Sequence, residues 1–164
     1  MTAVPGAGAA GSSGGFAAAT DPGGRYRKGG EAPLRGIPLP YSDIIRQRWR
    51  QPRFRGELPG ATAVAEDVNP LCGDRVRLML RIENGTIAAA RFLGDSCAIC
   101  TASADVLAEL IEGRARAAPG VGKSDLLERL QSDIRPTRMR CVTLPLTVLA
   151  TALDKPIGDP DAAR

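Results

Sequence analysis

Three cysteines and one aspartate carry the chemistry that this sequence can offer. Cys72 and Asp74 flank Gly73 in the turn-rich run Asn69-Pro70-Leu71-Cys72-Gly73-Asp74, while Cys97 stands at the start of a long helical pattern and Cys141 just before the last one. At element ends a side chain projects from a rigid frame, and a thiol at a helix N-terminus has its thiolate favoured by unpaired N–H groups and the dipole. Asp74 can turn toward the same point as Cys72, and three sulfurs with one oxygen suit tetrahedral zinc or an iron–sulfur cluster. The separations of 25 and 44 residues between these cysteines match no compact zinc-finger pattern. Spacing alone therefore leaves two readings, a ligand set and buried structural thiols. The polar turn around Cys72 favours the ligand set, because such a turn does not suit a core.

The fourth cysteine makes Cys97-Ala98-Ile99-Cys100 a Cys-x-x-Cys run, a pattern used for redox chemistry or for an additional ligand. Cys100, Leu107 and Ile111 continue an apolar stripe, so the reading adopted for Cys100 is a small helix residue. The chain has no histidine, which removes the commonest general base and nitrogen ligand and leaves cysteine and carboxylate to form any site.

The elements that must hold these residues are legible from periodicity. Ser42 or Asp43 can cap a short basic helix carrying Ile44, Ile45 and Trp49 toward the interior, which Pro52 stops. Thr62 to Asp67 reads as a short strand. Arg75 to Ile82 alternates, with Val76, Leu78, Leu80 and Ile82 on a buried face and Arg75, Arg77, Met79 and Arg81 on a wet one. Asn84-Gly85 signals a two-residue hairpin that would pair Ile82 with Ile87 and Leu80 with Ala89, and Arg91-Phe92 breaks the alternation where a bulge or an exposed stretch is expected. Helical spacing of Ile99, Ala102, Val106 and Leu110 predicts a helix over 98–112, ended by Gly113. A further helix is predicted over 125–130, and a last one starting near Pro145 with Leu146, Leu149 and Leu153 on one side. The fold class expected is α+β: a small antiparallel sheet of about three strands with helices packed on one face.

The 164 residues imply one domain, expected over 39–155. Residues 1–36 hold ten of the nineteen glycines and eight alanines without periodicity, so residues 1–38 read as a disordered tail in which Arg25-Tyr26-Arg27-Lys28 could dock a partner. Residues 156–164 read as a flexible C-terminal tail. No apolar run approaches the ~20 residues of a bilayer span, and the start lacks the layout of a secretory signal. The expected location is the cytoplasm, where the four cysteines stay reduced. The net charge of +4 is mostly arginine, with five arginines between Arg46 and Arg55. No helix-turn-helix, zinc-finger or aromatic RNA motif accompanies them, so a solvated or docking face is preferred to nucleic-acid binding.

The runs around the three cysteines, Asn69 to Asp74, Gly94-Asp95-Ser96-Cys97-Ala98-Ile99 with Ala102-Ser103, and Arg138-Met139-Arg140-Cys141, resemble the cysteine motifs of the NifU/IscU scaffold family over residues 41–153. Upstream, 48–56 is similar to the family's aromatic, basic segment, with Gln51 and Phe54 in place of asparagines. Ser96 stands where the family usually has glycine. Arg140 precedes the third cysteine where the IscU branch has histidine, which brings the chain closest to SufU; the 43 residues between Cys97 and Cys141 match the IscU length. The IscU chaperone motif is replaced by Ile134-Arg135-Pro136-Thr137-Arg138.

This resemblance implies an IscU/NifU-like fold and a role in iron–sulfur cluster assembly. It implies zinc held by Cys72, Asp74, Cys97 and Cys141, with Cys141 accepting persulfide sulfur from a SufS-like cysteine desulfurase and Arg138 contacting that partner. Ligand exchange at the metal would free the accepting sulfur. The alternative on the same residues is a [2Fe-2S] scaffold of the IscU type that hands clusters to apo iron–sulfur proteins or other assembly components. Whether the chain is a zinc-dependent sulfurtransferase or an accessory scaffold stays open. A reading from another class is a basic protein with a purely structural metal site.

Overall fold

The computed structural model describes residues 41–154. The segments expected as tails, Arg25-Tyr26-Arg27-Lys28 among them, lie outside the described residues.

Three helices, one short 3-10 turn and a further long helix surround a meander of three strands. The order is α1 (Asp43–Arg50), β1 (Ala63–Asn69), β2 (Asp74–Glu83), β3 (Thr86–Leu93), α2 (Ala98–Ile111), α3 (Lys123–Leu130), the turn Pro136–Arg138 and α4 (Met139–Asp154). The sheet is antiparallel in the order β1-β2-β3. Helix α4 packs on β1 and β2, α2 packs on β3 and α4, and α1 and α3 pack on α2. This is the α+β architecture that the alternation and helical spacing imply.

Val76, Leu78, Leu80 and Ile82 of β2 enter one core with Ile87 and Phe92 of β3, Leu107 and Ile111 of α2, and Val148 of α4. Burial of such side chains supplies the main driving force. Met79, expected on the wet face, is 1% exposed. It lies in the central strand between Val64 and Arg91, whose side chains flank it on the outer face.

Asn84 and Gly85 both take positive φ, 50° and 72°, as a type I′ hairpin requires. Ile82 pairs with Ile87 as expected, but the register then shifts: Arg81 faces Ala89 and Leu80 faces Ala90. The extra residue is Ala88, next to the turn, rather than at Arg91-Phe92. This bulge returns Ala90 and Phe92 to the core face and sends Arg91 outward, which explains why Arg91-Phe92 broke the simple pattern.

Helix α1 also departs from the expected facing. Ser42 caps it by accepting from the Ile45 N–H, and Ile45 is fully buried, but Trp49 is 48% exposed. Arg48 takes the inward position instead, because its guanidinium meets Asp105 at 2.8 Å and Glu109 at 2.5 Å on α2. Helix α3 begins two residues before the expected position, since the Gly122 N–H donates to the Asp125 carboxylate at 2.7 Å and secures the first turn.

The last helix begins at Met139, not near Pro145. Pro136 opens the preceding 3-10 turn, and its fixed φ suits that position. Pro145 lies inside α4, where it has no N–H to offer the Cys141 carbonyl one turn earlier. Cys141 is therefore in the first turn of α4 rather than before it. Its buried stripe runs through Val142, Pro145, Val148, Leu149 and Ala152, with Leu146 and Leu153 only partly buried.

Candidate metal centre

The β1–β2 connection builds the first part of the site. Asn69 and Asp74 form the last cross-strand pair, and four residues close the turn between them. Gly73 adopts φ 74° and donates its N–H to the Asn69 carbonyl at 2.8 Å, a left-handed position that glycine takes without strain. The Asn69 side chain accepts from the Leu71 N–H at 3.2 Å and donates its amide to Cys72 Sγ at 2.9 Å. That second bond aims the Cys72 sulfur, which donates in turn to Asp74 Oδ2 at 2.8 Å. The sequence pattern located the turn but not this role for Asn69; an asparagine three residues before a cysteine in a turn was the available signal.

Asp74 begins β2 with only 3% of its surface exposed. Its other oxygen accepts from the Cys97 N–H at 2.7 Å, joining the first turn to the start of α2. The approach depends on Gly94, at φ 144°: a Cβ there would lie 2.0 Å from the Arg75 carbonyl oxygen. Without a side chain at 94 the chain passes against β2, and Asp95 accepts from the Arg75 N–H at 2.9 Å.

Cys141 enters from the first turn of α4, and its Sγ lies 3.8 Å from that of Cys72. Among the described residues, Cys72, Asp74 and Cys141 present ligand atoms within 4.8 Å of one another. Cys97 is outside this close set. As the N-cap of α2 it turns its sulfur to its own helix, accepting from the Cys100 N–H at 3.5 Å, yet it stays close enough to interact with Asp74 and Cys141. Cys100 is completely buried. Arg138, exposed at the end of the 3-10 turn, lines a 380 Å³ cavity with Asn69, Leu71, Cys72, Thr137 and Cys141. Arg140 faces a neighbouring depression with Asp67, Asn69 and Thr143.

The electrostatics follow from crowding acidic groups. Burial opposes the charge of Asp74, but hydrogen bonds from the Cys72 thiol and the Cys97 N–H hold its carboxyl below the usual range. Burial, followed by the negative charge that Cys97 would carry and by the hydrogen bond with Asp74, pushes the Cys141 thiol well up. Burial likewise raises Cys97 and Cys100. Arg138 is held above its usual value chiefly by its hydrogen bond to Cys141. Cys97 and Cys141 thus resist ionising beside one another, and a cation between them would favour their thiolates.

The donor set fits zinc. Two sulfurs at about 2.3 Å from one tetrahedral ion lie about 3.8 Å apart, which is the Cys72–Cys141 separation. The proton that Cys72 shares with Asp74 is the one a metal displaces. One iron of a [2Fe-2S] cluster would accept the same sulfurs.

Asp74 carries a pH dependence in metal-stripped protein. Because its folded value is depressed, it contributes stability above the ordinary carboxylate range, and this is lost as pH falls through the folded value. Asp74→Asn is expected to flatten the acid-side fall in the urea midpoint between neutral pH and pH ~3. An unchanged slope would mean that the Cys72 and Cys97 hydrogen bonds do not hold the charge.

Comparison with known proteins agrees with the geometry. The model of the NifU-like N terminal domain family matches residues 40–157. The iron–sulfur cluster assembly scaffold protein IscU of Thermotoga maritima is 32% identical over 132 residues, covering 70% of this chain and 93% of that protein. The zinc-dependent sulfurtransferase SufU of Bacillus subtilis is 28% identical over 136 residues, covering 72% of this chain and 92% of that protein. Among solved structures, the iron–sulfur cluster assembly scaffold protein described for the SUF system of Fervidobacterium islandicum AW-1 aligns with TM-score 0.62 and 26% identity, covering 70% of this chain and 96% of that one.

Proposed function

Because the chain belongs to the NifU-like N-terminal domain family of iron–sulfur cluster assembly scaffolds, we propose that it accepts persulfide sulfur on Cys141 from a SufS-like cysteine desulfurase in the cytoplasm. Cys72, Asp74, Cys97 and Cys141 are the proposed zinc ligands. The observation that carries this reading is the position of Cys141: its sulfur is 3.8 Å from Cys72 Sγ, and the residue, itself 1% exposed, lines a cavity together with the exposed Arg138.

Bound zinc would supply the charge that keeps these thiols as thiolates. Asn69 orients Cys72 through its amide, and Asp74 fixes the start of α2 against the β1–β2 turn. In the transfer, the Cys141 thiolate attacks the outer sulfur of the donor persulfide. A bond forms between Cys141 Sγ and that sulfur, the donor S–S bond breaks, and the donor cysteine leaves as thiolate. Arg138, beside Cys141 and exposed, is suited to meet the incoming partner.

The second reading, a [2Fe-2S] scaffold that passes clusters to apoproteins, is favoured by the 32% identity to an IscU protein. Of the five arginines between Arg46 and Arg55, Arg48 pairs with Asp105, Arg46 with Asp43, and Arg55 donates to the Gly94 carbonyl at 2.9 Å, so these three are engaged within the domain rather than presented together as a nucleic-acid face.

Titrating the protein into a SufS-type desulfurase with cysteine and a thiol reductant tests the proposal. Sulfide release is expected to rise and saturate. Arg138→Ala should raise the half-saturating concentration while largely keeping the plateau, and Arg138→Lys should recover part of the loss. No stimulation by the unmodified protein would overturn the sulfur-acceptor reading.

A further inference from the structure

Cys100 plays no part in the function proposed above, and its surroundings give it one. It is the third residue of α2, and Cys97 is the N-cap of the same helix. The Cys100 N–H donates to Cys97 Sγ at 3.5 Å, so the sulfur of Cys97 lies over the turn that contains Cys100. A Cys-x-x-Cys unit across the first turn of a helix is short enough to close a disulfide. The two thiols differ in access: Cys97 is partly exposed and Cys100 fully buried. The apolar stripe explains a small side chain at 100 but not a thiol. The same helix carries alanine at 98, 102, 104 and 108.

Of the site cysteines, Cys97 alone is left out of the close group formed by Cys72, Asp74 and Cys141. Its sulfur is turned toward α2 and remains within interaction distance of Cys141. It thus stands between the sulfur-accepting thiol and a buried second thiol. Sulfur accepted from a persulfide is at the sulfane level, whereas a cluster contains sulfide. Two electrons must reach it.

We propose that Cys97 and Cys100 form a dithiol that reduces the accepted sulfur to sulfide on the protein itself. This rests on Cys141 being the sulfur acceptor. The Cys97 thiolate attacks the outer sulfur of the Cys141 persulfide, forming a Cys97 persulfide and releasing Cys141 as thiolate. Cys100 Sγ then attacks Cys97 Sγ: the Cys97–Cys100 disulfide forms, the bond from Cys97 to the outer sulfur breaks, and hydrosulfide leaves with the proton of Cys100 as hydrogen sulfide. The two thiols are oxidised and the sulfane sulfur is reduced, so no outside oxidant is required. An external dithiol reductant returns the pair to thiols by exchange at the accessible Cys97. The disulfide also removes Cys97 from the proposed ligand set.

The test is a single turnover without reductant. Full-length reduced protein is loaded with sulfur by a SufS-type desulfurase and cysteine, freed of small molecules without oxygen, and followed for released sulfide and by peptide mass mapping. One sulfide per loaded sulfur is expected, together with a Cys97–Cys100 disulfide. Cys100→Ser and Cys100→Ala should load equally, hold the sulfur, and release it only when dithiothreitol is added; circular dichroism verifies that each is folded. Sulfide release by these variants at the unmodified rate, or a persulfide that persists on the unmodified protein, would overturn the proposal. A parallel arm loads the protein with inorganic polysulfide. If the desulfurase fails to load but polysulfide yields the same disulfide and sulfide, the partner reading fails and the dithiol chemistry stands. If neither arm yields the disulfide, the dithiol proposal fails.

Discussion

Asp105→Ala is expected to destabilise the domain by about 3–5 kcal/mol, the cost of breaking a buried ion pair from one side. Asp105 is completely buried in α2. One oxygen accepts from Arg48 Nη1 at 2.8 Å and the other from the Phe54 N–H at 2.8 Å. Its removal leaves the Phe54 N–H without that acceptor and Arg48, largely enclosed, with Glu109 alone. The damage should extend beyond α1. The Phe54 carbonyl accepts from the Phe92 N–H of β3 at 3.0 Å, and Arg55 next to it holds the Gly94 carbonyl. Asp105 therefore pins the segment that braces the approach to Cys97. Asp105→Asn keeps the acceptor for Phe54 and should lose less. Urea unfolding followed by circular dichroism measures both, and a loss below about 1 kcal/mol for the alanine variant would mean that the pair behaves as a surface salt bridge.

The largest effect on activity is expected from Cys141→Ser. Its stimulation of a SufS-type desulfurase should fall to the level of the desulfurase alone, because a hydroxyl cannot form the sulfur–sulfur bond that transfer requires. The fold should survive. Cys141 is a small side chain in the first turn of α4, and the surrounding core is supplied by Val142, Val148, Leu149 and the sheet. Circular dichroism beside the sulfide-release assay separates the outcomes. A folded variant that still stimulates would move the acceptor role to another thiol, with Cys72 the most exposed. An unfolded one would favour a structural role for the site.

Much of this was legible in the residue pattern, and what was not has identifiable causes. The alternation through Val76, Leu78, Leu80 and Ile82 and the Asn84-Gly85 pair specify a hairpin, since each uses a strong local preference. The bulge at Ala88 was hidden because three consecutive alanines carry no signal of which faces inward. The start of α4 was displaced because Pro136 and Pro145 both suit a first turn, and only the packing of Cys141 and Val142 decides between them. Helix α1 misled for a long-range reason. Arg48 faces inward only because Asp105 waits on α2, and a single acid within the apolar run from Cys100 to Ala108 was the available hint.

The site divides in the same way. Placing Cys72 in a turn, Cys97 at a helix start and Cys141 near another depended on local sequence. That the Cys97 sulfur would lie outside the close group of Cys72, Asp74 and Cys141 depended on its cap conformation, which the spacing does not encode.

The most direct test of a zinc-holding sulfur acceptor is the metal and acid-labile sulfide content of the protein purified without oxygen, read beside its absorption spectrum. The account predicts about one zinc per chain, no sulfide and no visible absorption. Iron with an equal amount of sulfide and visible bands would contradict it in favour of a cluster scaffold, and the absence of both metal and sulfide would contradict the site itself.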